Sequence, residues 1–382
     1  MWIKKASAVF ITLVAVFSAC VLFAAPRALA DSILLHEIGR LADPAFPGEV
    51  NQIVVDENYI YASLDDGGFE IRDKATGIQL SRTRVTSEAF SVQFEIRGNY
   101  AFIADWYEGL TILDITDKAS PIHVGGWNDY DPVEKYAIGV AIDEDDCYLS
   151  IRNHGIVTLD ISDLTNPVET GFFEEPDSGG NGIMLGILHR HNQEDTLIAT
   201  SYRGALVLDT SDPDILNEVE FIATSLNIGA SYDPVNDYLY LGKGYFPSLM
   251  FKVYDVSNPE SPEFYTSYGE DLPEGETHQV TIVKRFGDYL FVGDRYRELI
   301  VLDYSDPENP IEVGYFPLPD DVSRMMGGLT VDGDIAYLGT DRSGIIKIDL
   351  SSLMIPEPGA LFLIASGLFG ILGAAIRRKR KA

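Results

Sequence analysis

Apolar residues fall along this chain in runs of strand length, each closed by a polar turn, and the runs recur in sets of four. One set shows the pattern: HQVTIVKRF (278–286), the turn Gly287-Asp288, YLFVGD (289–294), ELIVLDY (298–304), the turn Ser305-Asp306-Pro307, and PIEVGYF (310–316). Period-two alternation bounded by Gly, Pro and Asp predicts strands. The second run recurs as YIYASL (59–64), YAFIAD (100–105), CYLSIR (147–152), TLIATS (196–201), YLYLGK (238–243) and IAYLGT (335–340). Its aromatic and β-branched residues suit a half-buried pleated surface.

The aspartate that closes the third run gives the period. It stands at Asp73, Asp114, Asp160, Asp209, Asp255, Asp303 and Asp349, at intervals of 41 to 49 residues. Units of this length with several short strands each predict an all-β, seven-bladed β-propeller rather than a solenoid of helix pairs. The seventh unit lacks its outer strand, because Ser351-Ser352-Leu353-Met354 follows GIIKIDL (344–350) directly. SILLHEIGRL (32–41) reads like an outer strand and precedes the first inner strand, VNQIVVD (50–56). The mature N-terminal strand is therefore expected to close the ring and leave no exposed sheet edge.

The recurrence also assigns the acidic turns. Asp303 with Ser305 and Asp306, Asp114 with Thr116 and Asp117, Asp160 with Ser162 and Asp163, and Asp209 with Ser211 and Asp212 can accept hydrogen bonds from turn amides. A device copied into every unit reads as scaffold. At LTILDITDKASPIHVG (110–125), IVTLDISDLTNPVETG (156–171) and LIVLDYSDPENPIEVG (299–314) the chain resembles the LVIVD repeat family of bacterial surface propellers. The resemblance covers about 58 to 350 and is weakest in the first unit, where Asp73-Lys74-Ala75-Thr76-Gly77 is shortened and lacks Pro. It implies a β-propeller at the cell surface, and no shared reaction or catalytic residues.

The two ends read as targeting segments. Residues 1–30 carry Lys4 and Lys5, an apolar run from Ala8 to Ala25, and Ala28-Leu29-Ala30 before Asp31, as a cleaved secretory signal would. A lipoprotein signal cut before Cys20 is the competing reading. Residues 355–382 hold Pro356-Glu357-Pro358, the apolar span ALFLIASGLFGILGAAI (360–376) and a basic end from Arg377 to Lys381. Such a span is long enough for one transmembrane helix, and the basic end should stay cytoplasmic. These three parts in this order resemble the PEP-CTERM sorting tail of Gram-negative bacteria. The resemblance implies recognition by an exosortase, a membrane transpeptidase, through Pro356, Glu357 and Pro358. It also implies a transient membrane anchor, removal of the tail, and placement at the cell surface or in an exopolysaccharide matrix. The propeller is then expected to occupy 31–354.

Charge narrows the partners. The whole chain has 28 Lys and Arg against 59 Asp and Glu, and removing both ends leaves 20 against 58. So acidic a body argues against nucleic acid and anionic lipid. Its single cysteine, Cys147, can form no internal disulfide and falls where other units have apolar strand residues, as a buried thiol would.

Candidate chemistry lies on the loops between second and third strands. They carry Asp105, Trp106, Tyr107, Arg152, Tyr202, Arg203, Lys243, Tyr245, Arg295, Tyr296 and Arg342, a mixture of aromatic and cationic groups on one expected face. Aromatic rings beside Arg suit sugars: a ring stacks on the apolar sugar face while guanidinium binds hydroxyls or uronate carboxylates. The bland alternative is a solvated rim of paired ions. His189 and His191 on a turn make an incomplete metal set, so an exposed polar turn is expected there, and Asp143 to Asp146 suits loose Ca²⁺ binding at most. No resident cofactor is expected. The sequence thus predicts a non-enzymatic surface module for polysaccharide or a surface protein. The alternative is a hydrolase or lactonase-like propeller using His278 and His154 with Glu49, Glu88 or Asp294, for which no complete catalytic set is present.

Overall fold

A computed structural model describes residues 32–42, 48–86, 91–128, 136–152, 154–174, 185–191, 195–224, 227–246, 250–269, 278–341 and 343–353. The signal segment, the sorting tail with its apolar span, Glu88 and Arg342 lie outside the described residues. Every regular element among the described residues is a β-strand, and among them no helix is long and apolar enough to cross a membrane.

The strands form five four-stranded sheets and one nine-stranded sheet. In chain order, each unit is an antiparallel meander of four strands. Unit one runs Val50–Val55, Tyr59–Leu64, Gly68–Asp73 and Gln79–Thr83, and unit two Ser91–Arg97, Tyr100–Asp105, Gly109–Asp114 and Ile122–Trp127. Unit three spans Tyr136–Asp143 to Val168–Glu174, and unit four Leu185–Arg190 to Asn217–Ala223. Units five (Asn227–Asp233 to Glu263–Tyr268) and six (His278–Phe286 to Ile311–Pro317) share the nine-stranded sheet. They join because Tyr238–Phe246, the long second strand of unit five, places Gly244 and Phe246 opposite Gln279 and His278.

Unit seven has Met325–Asp332, Ile335–Thr340 and Ile345–Asp349, and its fourth strand is His36–Leu41, antiparallel to Ile345–Asp349. This ladder has the same irregularity, between Glu37 and Gly39, that interrupts third-to-fourth strand pairing elsewhere, as between His123 and Gly125. The expected N-terminal segment divides in two, however. Ile33–Leu34 first pairs in parallel with the outer strand of unit six, and only then does the chain cross to unit seven.

Packing runs between units. Seven apolar clusters each join two successive units; one holds Val50, Ile53 and Ile60 of unit one with Tyr337 and Ile345 of unit seven. Second and third strands therefore bury both faces, as in Tyr100–Asp105 and Gly109–Asp114. The sequence expectation of a half-buried surface fails for them, and their near-continuous apolar runs follow from two-sided packing.

The aspartate turns behave as scaffold. Asp114, Asp160, Asp209, Asp255, Asp303 and Asp349 each accept a hydrogen bond from the amide two residues on, at 2.8 to 2.9 Å. In the shortened first turn Asp73 accepts from the amide and hydroxyl of Thr76. The residue after the aspartate then donates to the turn between first and second strands, as in Ile115 to Asn99 and Tyr304 to Asp288. Turn hydrogen bonds hold the exposed carboxylates Asp73, Asp114, Asp160, Asp163 and Asp349 below their ordinary pKa.

Candidate functional site

Antiparallel pairing puts the loop after each second strand at the same end of its unit as the segment entering its first strand. At that end, one homologous position differs between units. The sixth or last residue of the second strand is Leu64, Asp105, Arg152, Ser201, Lys243, Asp294 or Thr340, with the strand of unit five running on to Phe246, while the residues before it are mostly apolar. Variation at one position on a constant frame is what a recognition face requires.

The structure divides the predicted residues into groups. Trp106, Tyr107 and Arg152 converge between units two and three around Tyr136, which the sequence reading missed. Trp106 stacks on Tyr136 with centroids 4.6 Å apart, Tyr107 meets the same ring edge-on at 5.8 Å, and the Arg152 guanidinium lies 6.0 Å from the Trp106 ring. Backbone geometry fixes this: Tyr136 is the cross-strand partner of Arg152, and the Ala137 amide donates to the Trp106 carbonyl at 3.2 Å. The signal for Tyr136 was an aromatic at the start of an inner strand, where unit two has Ser91 and unit seven Met325. Tyr107 is exposed.

The second group lies at unit six. His278 and Asp294 come together, Nδ1 to Oδ2 at 2.8 Å, both buried, and the Arg297 Nε stands 3.6 Å from the same carboxylate oxygen. Arg295 lies 5.7 Å from the ring of Tyr296, which is half exposed. Asp105 and Lys243 are buried rather than displayed, and burial lowers the Lys243 ammonium to about 8. Tyr202 is half-buried and Arg203 exposed on unit four. Tyr245 lies in the long strand of unit five.

His154 is not a partner of His278. It packs on Phe172 within unit three, with ring centroids 4.5 Å apart, and units three and six are not neighbours. His191 corrects the expectation of an exposed turn: it is buried, bonded through Nε2 to the Val256 carbonyl at 2.8 Å and stacked on Tyr232. Burial also lowers His189 to about 4. Among the described residues no three His, Cys, Asp or Glu side chains gather in a way that could hold a metal ion. Asp143 is engaged by Arg190 at 2.5 Å. Cys147 is buried, and burial pushes its thiol well above the ordinary value.

The sequence reading named Glu49 but did not join it to Asp65 in the carboxylate pair at the entry to unit one. Arg324 bonds Glu49, and Asn51 donates to Asp65 at 2.6 Å. Burial, with Glu49 adding to it against the Asn51 hydrogen bond, pushes Asp65 up to about 7.

Comparison with known proteins fits this architecture. The LVIVD repeat model matches residues 91–129, 135–174 and 275–317, and the PEP-CTERM protein-sorting motif matches 355–380. The chain carries three LVIVD repeats and a PEP-CTERM sorting signal. The signal implies recognition by an exosortase and export to the cell surface or extracellular space of a Gram-negative bacterium. The crystal structure of the computationally designed Ika8 protein is similar in fold, with a TM-score of 0.56 at 11% identity, over 80% of this chain and 97% of that one. No curated protein matches the sequence.

Proposed function

We propose that this chain is a seven-bladed, ring-closed β-propeller that serves at the cell surface as a non-enzymatic binding module for extracellular polysaccharide. Counting the nine-stranded sheet as two blades gives seven, and two features support closure of the ring: the His36–Leu41 strand in unit seven and the apolar cluster between units seven and one. Residues 1–30 act as the signal, 31–354 as the propeller and 355–382 as the sorting tail. Pro356, Glu357 and Pro358 are what the exosortase reads, and the span 360–376 holds the chain in the membrane until the tail is removed.

The observation that carries the ligand class is the Trp106–Tyr136–Tyr107 group with Arg152 beside it. Stacked rings give a rigid apolar shelf, and an adjacent guanidinium adds directed donors for hydroxyls. The test is co-sedimentation of the protein with the matrix polysaccharide of the producing cell, while new reducing ends are followed. Binding that Trp106→Ala and Arg152→Ala each weaken about tenfold, without new ends, supports the reading. New reducing ends would make it a hydrolase, and binding indifferent to Trp106 would move the site elsewhere.

A further inference from the structure

The chain enters and leaves the propeller at one place. Ile33 pairs in parallel with Gly314 in the outer strand of unit six, and the Leu35 amide donates to the Tyr315 carbonyl at 2.8 Å. Leu353, the last described residue, packs on the same spot: a methyl group added to Gly314 would meet the Leu353 side chain at 3.1 Å and the Ile33 carbonyl at 3.4 Å. Leu353 is also pinned. It is buried in one apolar cluster with Leu35 and Phe316, its carbonyl accepts from the Tyr289 hydroxyl at 2.9 Å, and its amide donates to the Leu350 carbonyl at 2.9 Å.

Only Met354 and Ile355 separate this anchored residue from Pro356. At no more than about 3.6 Å per extended residue, the Pro-Glu-Pro motif begins within about 11 Å of Leu353. A protein that grips the motif therefore meets the propeller surface around Leu353 at the same time. We propose that the outer edge of unit six at Ile33 and Leu34 is a docking surface for the sorting transpeptidase, which holds this edge and the motif together. The proposal rests on the sorting reading of the tail and adds a folded surface to it. Ile33–Leu34 is the terminal strand of the nine-stranded sheet, and both side chains are exposed although Leu35 after them is buried. Two adjacent exposed apolar residues at an unpaired strand edge, on so acidic a body, suit an apolar contact with another protein. The apolar span begins at Ala360, so the bilayer is the competing occupant. The enzyme is favoured because the residues it must hold lie between Leu353 and that span.

The test follows loss of the tail from the full-length protein, by mass, in intact and in detergent-solubilised membranes of the producing cell. Leu34→Asp should slow it about fivefold in both with Tm unchanged, while Leu34→Ile leaves it at the wild-type rate. A Gly-Ser spacer of about six residues between Met354 and Ile355 separates the motif from the edge without touching the fold, and should also slow it. Equal rates for Leu34→Asp and wild type overturn the docking surface. So does a spacer that speeds removal, since the edge would then be an obstruction. A Leu34→Asp defect seen in intact membranes and absent in detergent assigns the edge to lipid and overturns the proposal as well. Glu357→Ala separates the two readings. If it alone blocks removal, the tail is read and the docking surface fails; if it changes nothing, the sorting reading fails and the docking surface with it.

Discussion

His36 stands directly opposite Asp349 in an antiparallel ladder, so the strand His36–Leu41 near the start of the described chain completes the sheet built by its last three. Leu35, the residue before it, is 2% exposed and packs in one cluster with Leu299 and Val301 of unit six and Ile348 and Leu350 of unit seven. Leu35→Ala should lower unfolding stability by about 2–5 kcal/mol, the usual cost of truncating a buried leucine. Denaturant unfolding measures it. An unchanged midpoint would mean that the N-terminal strand is not part of the cooperative unit.

The aspartate turns make a separate prediction about acid. Asp114, Asp160 and Asp349 are held below their ordinary pKa by turn hydrogen bonds, so their stabilising contribution is present above the unfolded-state value, about 4, and is lost as pH falls through the folded value. Asp160→Asn keeps an acceptor oxygen and should lower Tm less than Asp160→Ala at neutral pH. Below the carboxylate range the difference between wild type and Asp160→Ala should shrink. Equal Tm for all three proteins at pH 7 would refute a scaffold role for this turn.

Unit one contains a buried charge group within a single sheet. Glu70 is 2% exposed and bonds both Arg72 and Arg82. Glu70→Gln would leave the buried Arg72 guanidinium without its counter-charge, at a cost of about 3–5 kcal/mol. Thermal unfolding would show it. A loss below about 1 kcal/mol would mean that the group is relaxed or hydrated in solution.

The fold was legible because the repeat is written into the polar turns as much as into the apolar runs. Asp303, Ser305 and Asp306 recur with the same spacing and make the same bonds, so one turn predicts the rest. The split of residues 32–41 was not legible: alternation predicts a strand but does not say that Ile33–Leu34 pairs with unit six before His36 reaches unit seven. The candidate face was legible by residue type and not by burial. Asp105 and Lys243 look like loop residues in the sequence, yet Asp105 ends a strand packed on both faces and Lys243 is buried within the long second strand of unit five. Tyr136 was missed because its role comes from Trp106 in the preceding unit, and no local pattern encodes that contact.

Asp65 gives a pH effect of opposite sign to that of the turns. Burial pushes its carboxyl up to about 7, so between the ordinary carboxylate value, about 4, and about 7 the folded protein holds a proton that the unfolded chain releases. Stability should therefore fall as pH rises through that window, whereas the turn aspartates act only below it. Asp65→Asn keeps the oxygen that accepts from Asn51 and removes the charge beside Glu49. The variant should be more stable than wild type at pH 8 and no more stable at pH 4.5, with urea midpoints as the measure. Because Arg324 bonds Glu49 in the same cluster, Arg324→Ala should steepen the wild-type decline toward pH 8, and Asp65→Asn should largely relieve it. Parallel pH profiles for wild type and Asp65→Asn would mean that Asp65 is ionised and solvated at neutral pH.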